Sequence, residues 1–197
     1  FFVECFNWFF NSLLAIDITL PEYTILLPVG ISFYTFQTLS YSIDIYRRKL
    51  KASNDFIAFS AFVCFFPQLV AGPIERATNL LPQFFKRRTF NYANSVDGLQ
   101  QILWGLFQKV VIADNLAGVI NNVWGDIPNQ SGSILFITAI LYSIQLYTDF
   151  SGYSHMAIGV GKILGFRITK NFNYPYFSRN IGEFWRNWHI SLTSWLT

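Results

Sequence analysis

The chain has 197 residues, of which 52% are hydrophobic, 19% aromatic and only 13% charged. A soluble domain carries roughly 25% charged residues, so there is too little charge to clothe an aqueous surface around 22 Phe, 10 Tyr and 6 Trp. The net charge of +3 is modest, and the basic residues cluster beside apolar segments, which follows membrane topology and not a nucleic-acid face. Cys5 and Cys64 lie in apolar runs; two cysteines so placed make neither a disulfide framework nor a metal site, and both are expected to be buried small hydrophobes. The chain opens on Phe1 and closes inside the helix-compatible run Trp195, Leu196 and Thr197, so it is expected to be a fragment cut at both ends, with no signal peptide legible.

A membrane-spanning helix needs ~20 largely apolar residues, because the hydrocarbon core is ~30 Å thick. Residues 1–20 read as the end of one span, interrupted by Glu4 and Asp17. Residues 25–43 are charge-free, broken only by Pro28 and Gly30, and the basic run Arg47, Arg48, Lys49 and Lys51 follows. Residues 56–74 form a second charge-free run, containing Pro67, Gly72 and Pro73, and Lys86, Arg87 and Arg88 come after it. The stretch 99–120 is a weaker span, because it holds Lys109 and Asp114. Residues 121–132 contain no Lys or Arg, 127–148 form a third apolar run, and 134–147 are the cleanest helix in the chain. Residues 150–161 are charge-free but too short to span. Basic residues return with Lys162, Arg167, Lys170, Arg179 and Arg186.

Basic loops tend to stay cytoplasmic. A single crossing by residues 56–74 would put its two basic flanks on opposite sides, so a re-entrant segment is expected there, bent by its prolines and shielded from lipid by protein. The resulting topology takes 25–43 inward, keeps 44–98 cytoplasmic with one membrane-dipping piece, returns outward over 99–120, turns through an external loop at 121–132 and re-enters over 133–148. Lys162 onward then lies on the cytoplasmic face. The expected fold class is an all-α polytopic membrane protein with transmembrane helices, a re-entrant segment and an amphipathic Trp-rich helix. No internal repeat is visible, so a transporter built from related halves is not favoured.

The chemistry concentrates between Leu146 and Trp195. Asp149 ends an apolar run, where it either caps the next helix or pairs with a cation. The loop after Gly165 is marked by Asn171, Asn173 and Pro175. Asn180 followed by Glu183 has the spacing of a helix start. Over the next residues Trp185, His189 and Leu192 fall on one helical face, with Phe184, Trp188 and Trp195 beside it and Glu183, Arg186 and Asn187 on another side, as in an amphipathic helix at an interface or against a protein-lined cavity. A Trp-rich interfacial anchor explains the same pattern without chemistry. An imidazole shielded by tryptophans can take a proton from an attacking hydroxyl, which makes His189 the candidate base; a satisfied structural histidine is the bland alternative. No metal-ligand spacing appears.

The strings Asp149-Phe150-Ser151-Gly152-Tyr153-Ser154, Asn171-Phe172-Asn173-Tyr174-Pro175-Tyr176 and Phe184-Trp185-Arg186-Asn187-Trp188-His189-Ile190-Ser191-Leu192 resemble the signature region of the membrane-bound O-acyltransferase (MBOAT) family, in its bacterial alginate O-acetylation branch. Upstream, the segments 27–37 and 65–74 match in the same order, so the resemblance covers residues 25–197. It implies that residues 1–197 are part of a single membrane domain whose N- and C-terminal parts are missing. It also implies acetyl transfer, in a membrane-embedded cavity, from a cytoplasmic thioester such as acetyl-CoA to a hydroxyl of an extracytoplasmic, alginate-like polysaccharide. No bound cofactor, metal or nucleic acid is implied. The expected partners are the lipid bilayer, the polysaccharide acceptor and an extracytoplasmic acetyltransferase protein, and the expected location is the bacterial inner membrane. Transfer of D-alanine to teichoic acid and a non-catalytic scaffold or transporter subunit are the alternatives. By resemblance, His189 occupies the first conserved polar position of the Trp-rich motif, while the principal catalytic histidine lies downstream, so the fragment alone is expected to be inactive. Trp185, Trp188, Arg186 and Asp149 are assigned to the cavity or its donor side, with Asp149 and Arg186 as structural charges, and Gly152, Asn171, Pro175, Pro67 and Pro73 to the structural motif. His155 stands where the resemblance predicts a second acid.

Overall fold

The computed structural model describes residues 30–69 and 72–196. The partial span expected over 1–20, together with Cys5 and Pro28, lies outside that range. Among the described residues all regular elements are helical. Helix α1, Ile31–Tyr46, begins at Gly30, whose φ of 83° needs glycine and whose Cα packs onto the backbone of Leu69, where a Cβ would collide with the carbonyl oxygen. It ends where Lys49 N donates to the Asp44 carbonyl at 2.8 Å. Helix α2, Phe56–Val63, starts on Asp55, whose Oδ1 accepts from Ala58 N at 3.0 Å. A 3₁₀ turn at Phe66–Gln68 follows, and α3 is Ala77–Phe84. Among its described residues, the charge-free run 56–74 therefore does not form one continuous helix. An eight-residue α2 is only ~12 Å long, and the buried prolines 67 and 73 cannot continue a helical ladder. Helices α2 and α3 pack together around Phe62 and Leu80, and Phe166 from far along the chain joins their core. Cys64 is exposed, contrary to expectation; it sits at the C-cap of α2, between Phe62 and Phe65, and it is those two rings that fill the core.

Helix α4, Tyr92–Leu106, continues through a π-helical stretch at Phe107–Ala113 into α5, Asp114–Trp124. Together they run unbroken over Tyr92–Trp124, and α6 runs over Gly132–Ile163; both are long and apolar enough to cross a membrane. The separate short piece expected over 150–161 is thus corrected: it is the second half of α6. Asp149 does not cap a new helix there, because its charge is met sideways by Lys109 at 2.7 Å. Helices α4 and α6 lie antiparallel, with Gly98 facing Gly159 and Gly105 facing Gly152; a Cβ on any of the four would strike the carbonyl of its opposite glycine. Small residues that let backbones touch are the usual means of packing helices in lipid. The polarity of α6 agrees, since Thr138, Thr148, Ser151 and Ser154 are buried while Phe136, Ile137, Ile140 and Ile144 point outward.

The expected continuous Trp-rich helix is also corrected. It is two short helices, α7 at Ile181–Asn187 and α8 at Ile190–Leu196. The break falls at His189, with φ 47°. The backbone bonds there go to the preceding loop instead of along a helix: Ile190 N donates to the Asn171 carbonyl at 2.8 Å, and Asn173 N to the Asn187 carbonyl at 3.0 Å. A loop strand has displaced the helical ladder, so the face shared by Trp185, His189 and Leu192 does not exist.

Candidate functional site

The site is built around Asn171, which is almost fully buried. Its Nδ2 donates to Ser154 Oγ on α6 at 3.0 Å, and its Oδ1 accepts from Ser191 Oγ on α8 at 2.6 Å. Ser191 Oγ in turn accepts from Ile74 N at 3.0 Å. One amide thus ties together the long helix, the broken Trp-rich segment and the turn after Pro73. A second buried anchor lies beside it. Glu75 accepts at Oε1 from Thr169 N and from Thr169 Oγ1, the latter at 2.6 Å, and at Oε2 from Asn79 Nδ2 at 2.6 Å. Three donors satisfy the buried carboxylate and fix the start of the 169–177 loop over α3. Tyr176 then pins the loop's far end, its hydroxyl donating to the Ser143 carbonyl at 2.6 Å.

His189 follows from this scaffold. Its ring meets Phe150 edge-on at 4.7 Å, and its Nε2 is buried and lacks a hydrogen-bond partner among the described residues. Burial pushes its pKa below the ordinary 6.5, so the imidazole is neutral at physiological pH and able to accept a proton. Trp188 packs against Phe172 at 5.1 Å, Phe184 at 5.6 Å and Tyr176 at 6.1 Å. Trp185 and Arg186 are exposed. Among the motif residues, Gly152 forms the helix crossing, and Pro67, Pro73 and Pro175 are buried at turns.

Between α4, α6 and the 170–177 loop lies a cleft of ≈ 550 Å³. Its polar wall is Gln101, Gln108, Ser151, Ser154 and His155, and its aromatic wall includes Trp104, Tyr147 and Phe172. Lys162 and Lys170 also line it. Gln101 Oε1 and Gln108 Oε1 are buried without a partner among the described residues. Gln101 Nε2 lies 3.1 Å from His155 Nδ1. Trp185, Arg186, Trp188, His189 and Asp149 are not among the lining residues; Trp188 stands one aromatic layer behind, on Tyr147 and Phe172. The glutamines and His155 were not singled out as site residues from the sequence. Their signal was present: Gly98, Gln101, Gly105 and Gln108 alternate small and polar residues along one face of an otherwise apolar helix, and Ser151, Ser154 and His155 recur at helical spacing opposite them.

The π-helical stretch shifts the register of the ladder where Gln108 enters the cleft and Lys109 turns to α6. Lys109 Nζ lies 2.7 Å from both Asp114 Oδ1 and Asp149 Oδ1. Near the middle of both long helices an ionisable residue is costly unless paired, and one ammonium here serves two carboxylates. Such π-bulges are often found at functional positions.

The family model of membrane-bound O-acyltransferases (MBOAT) matches residues 47–197. The chain belongs to this family. It is 48% identical over 172 residues to the "Probable alginate O-acetylase AlgI" of Pseudomonas aeruginosa, covering 87% of this chain and 33% of that protein. It is 37% identical to the peptidoglycan O-acetyltransferase of Helicobacter pylori, over 87% of this chain and 38% of the relative. Against the teichoic acid D-alanyltransferase of Bacillus subtilis the identity is 31%, over 89% of this chain and 45% of the relative. The chain thus spans between a third and a half of the length of these relatives. The family is membrane-bound, and the two long helices, apolar enough to cross a membrane by length and composition, turn large apolar side chains outward.

Proposed function

We propose that this chain is part of a membrane O-acyltransferase that moves an acetyl group from a cytoplasmic thioester donor, such as acetyl-CoA, to a hydroxyl of an extracytoplasmic, alginate-like polysaccharide. The observation that carries the proposal is the match to alginate O-acetylase over a segment that folds around a buried, unpartnered imidazole nitrogen beside a polar cleft. The acceptor oxygen forms a bond to the thioester carbonyl carbon, its proton passes to a neutral imidazole, and collapse of the tetrahedral intermediate breaks the C–S bond and releases the thiol. The bilayer and the aromatic wall exclude competing water. His189 is assigned a functional role in proton transfer or acceptor orientation, alongside a principal catalytic histidine in the part of the domain beyond residue 197. The unpartnered Gln101 and Gln108 oxygens suit N–H or O–H donors on a bound substrate.

In the membrane, the segment 56–74 is assigned as re-entrant, with 44–98 and the region from Lys162 onward on the cytoplasmic side, in a multi-pass protein of the bacterial inner membrane. The short α2 and the proline turn after it support that assignment. An extracytoplasmic acetyltransferase protein would receive or relay the acetyl group. Transfer of D-alanine is the second reading, supported by the teichoic acid relative. The test is His189→Ala in the full-length protein, with cell-surface O-acetyl groups and protein abundance measured together. Loss of acetylation at normal abundance is expected; normal acetylation removes His189 from the reaction. Acyl-group analysis of the polysaccharide from a deletion strain separates the two donors, since loss of ester-linked D-alanine with acetyl intact would favour the second reading.

A further inference from the structure

The two basic runs, 47–51 and 86–88, are far apart in sequence, and one groove joins their neighbourhoods: Lys51 of the first lines it, and so does Phe85, the residue just before the second. A groove of ≈ 420 Å³ is lined by Leu50, Lys51 and Asp55 on one side and by Leu81, Pro82 and Phe85 on the other. Its first wall is held in place: Ser53 N donates to the Tyr41 hydroxyl at 2.9 Å, and Asp55 caps α2. Arg47, Arg48, Lys49 and Lys51 lead into the groove, and Lys86 and Arg87 directly follow Phe85; all six are exposed. Among the described residues none of the six pairs with a carboxylate, whereas Lys109 and Lys162 both do. Arg88 is different, being stacked over Phe166 at 3.9 Å. Arg48 even keeps an arginine at φ 57°, the left-handed C-terminal position that glycine fills most easily. Beside the groove, Phe56 and Ile57 are 79% and 80% exposed, so the rim presents large apolar side chains as well as charge.

An apolar floor with a rim of unpaired cations fits a molecule that has a hydrocarbon tail and an anionic head. A neutral lipid would leave the cations unused, and a soluble polyanion would leave Phe56, Ile57 and the groove floor unused. Clusters of four to eight basic residues at a membrane surface are a recognised signature of anionic-lipid binding. We infer that this groove is a binding site for an anionic phospholipid, which takes an acyl chain along Leu50, Leu81 and Phe85 and its headgroup phosphate between Lys51, Lys86 and Arg87. The site is separate from the cleft between α4 and α6 and stands whether or not the acyltransferase proposal does.

The test uses the full-length protein purified in mild detergent and titrated with phosphatidylglycerol or phosphatidylcholine, with bound lipid read by native mass spectrometry. Phosphatidylglycerol is expected to be retained and phosphatidylcholine not, with retention weakening as salt rises. Each cation removed near an anionic lipid lowers affinity about fivefold, so the Lys51→Gln, Lys86→Gln, Arg87→Gln triple variant should bind about a hundredfold more weakly. These side chains are exposed, and an unchanged melting temperature of the variant confirms that it folds. Phe85→Ser keeps every charge and is expected to weaken retention several-fold. Equal retention of both lipids, or an unaffected triple variant, overturns the inference. So does an unaffected Phe85→Ser, which would leave only diffuse surface attraction. An acidic protein released by the triple variant, with no phosphatidylglycerol retained by the wild type, also overturns it in favour of a protein partner.

Discussion

Replacing Asn171 with Ala should unlock the site without touching a reacting atom. Asn171 makes two buried side-chain hydrogen bonds, to Ser154 Oγ at 3.0 Å and from Ser191 Oγ at 2.6 Å. Losing the amide orphans a hydroxyl on α6 and another on α8, and each unsatisfied buried group costs ~1–3 kcal/mol. Ser191 keeps its bond from Ile74 N and can reorient in part, so the loss is placed at ~2–4 kcal/mol. A destabilisation of 1 kcal/mol lowers the Tm of a 150–250-residue domain by roughly 2–4 °C, and a longer protein by less, so at about 1–2 °C per kcal/mol Asn171→Ala should lower the apparent Tm of the full-length protein by roughly 2–8 °C. The assay is heating at a fixed rate in detergent followed by fluorescence-detected size exclusion, because unfolding of such a protein is scan-rate dependent. Activity should fall further than the melting shift explains, because the Asn171 loop also supplies the carbonyl that Ile190 N uses beside His189. Ser191→Ala alone should be destabilising, and the double variant should be less destabilised than the two single losses combined, by ~0.5–3 kcal/mol, because the partners share one bond. A shift of about 1 °C or less for Asn171→Ala, or full additivity with Ser191→Ala, would refute the claim that this amide is the structural node.

Burial holds the His189 pKa below 6.5, so above that pH folded and unfolded chains are both neutral there and the residue adds no pH dependence. Below it the unfolded chain binds a proton that the folded chain does not, so stability falls as pH drops from 6.5 until the folded imidazole itself titrates; His189→Gln should flatten that part of the melting-temperature profile. Gly105→Val should force α4 away from α6 at the Gly152 carbonyl, costing ~1–3 kcal/mol or more, and Gly118→Ala, which has open space at its Cβ, is the matched control in the same expression and melting measurements. Lys109→Met leaves two carboxylates without their cation, whereas Asp149→Asn leaves the Lys109–Asp114 pair intact; membrane abundance should therefore fall more in the first, and Asp149→Asn added to Lys109→Met should restore part of it.

The amino-acid sequence by itself determined the solvent of this protein and much of its order. So little charge beside so many aromatics leaves lipid as the medium, and the long apolar runs over 99–120 and 133–148 lie inside the two helices that are long and apolar enough to cross a membrane. The family followed from strings of residues whose side chains are now seen at crossings and buried turns, among them Gly152, Asn171 and Pro175. Local signals also sufficed for the α7 start, where Asn180 Oδ1 accepts from Glu183 N at 2.8 Å. Tertiary structure decided the rest, because the deciding bonds come from elsewhere in the chain. Residues 184–195 carry a helical pattern, yet the Asn171 loop claims the backbone at Ile190 and turns His189 to a positive φ. For Asp149 the sequence leaves capping and ion pairing both open, and Lys109, forty residues upstream, decides for pairing. Gln101, Gln108 and His155 gain meaning only when α4 and α6 bring them to one cleft. Periodicity records which side of a helix is apolar; which polar group faces it from a distant segment is fixed by packing alone.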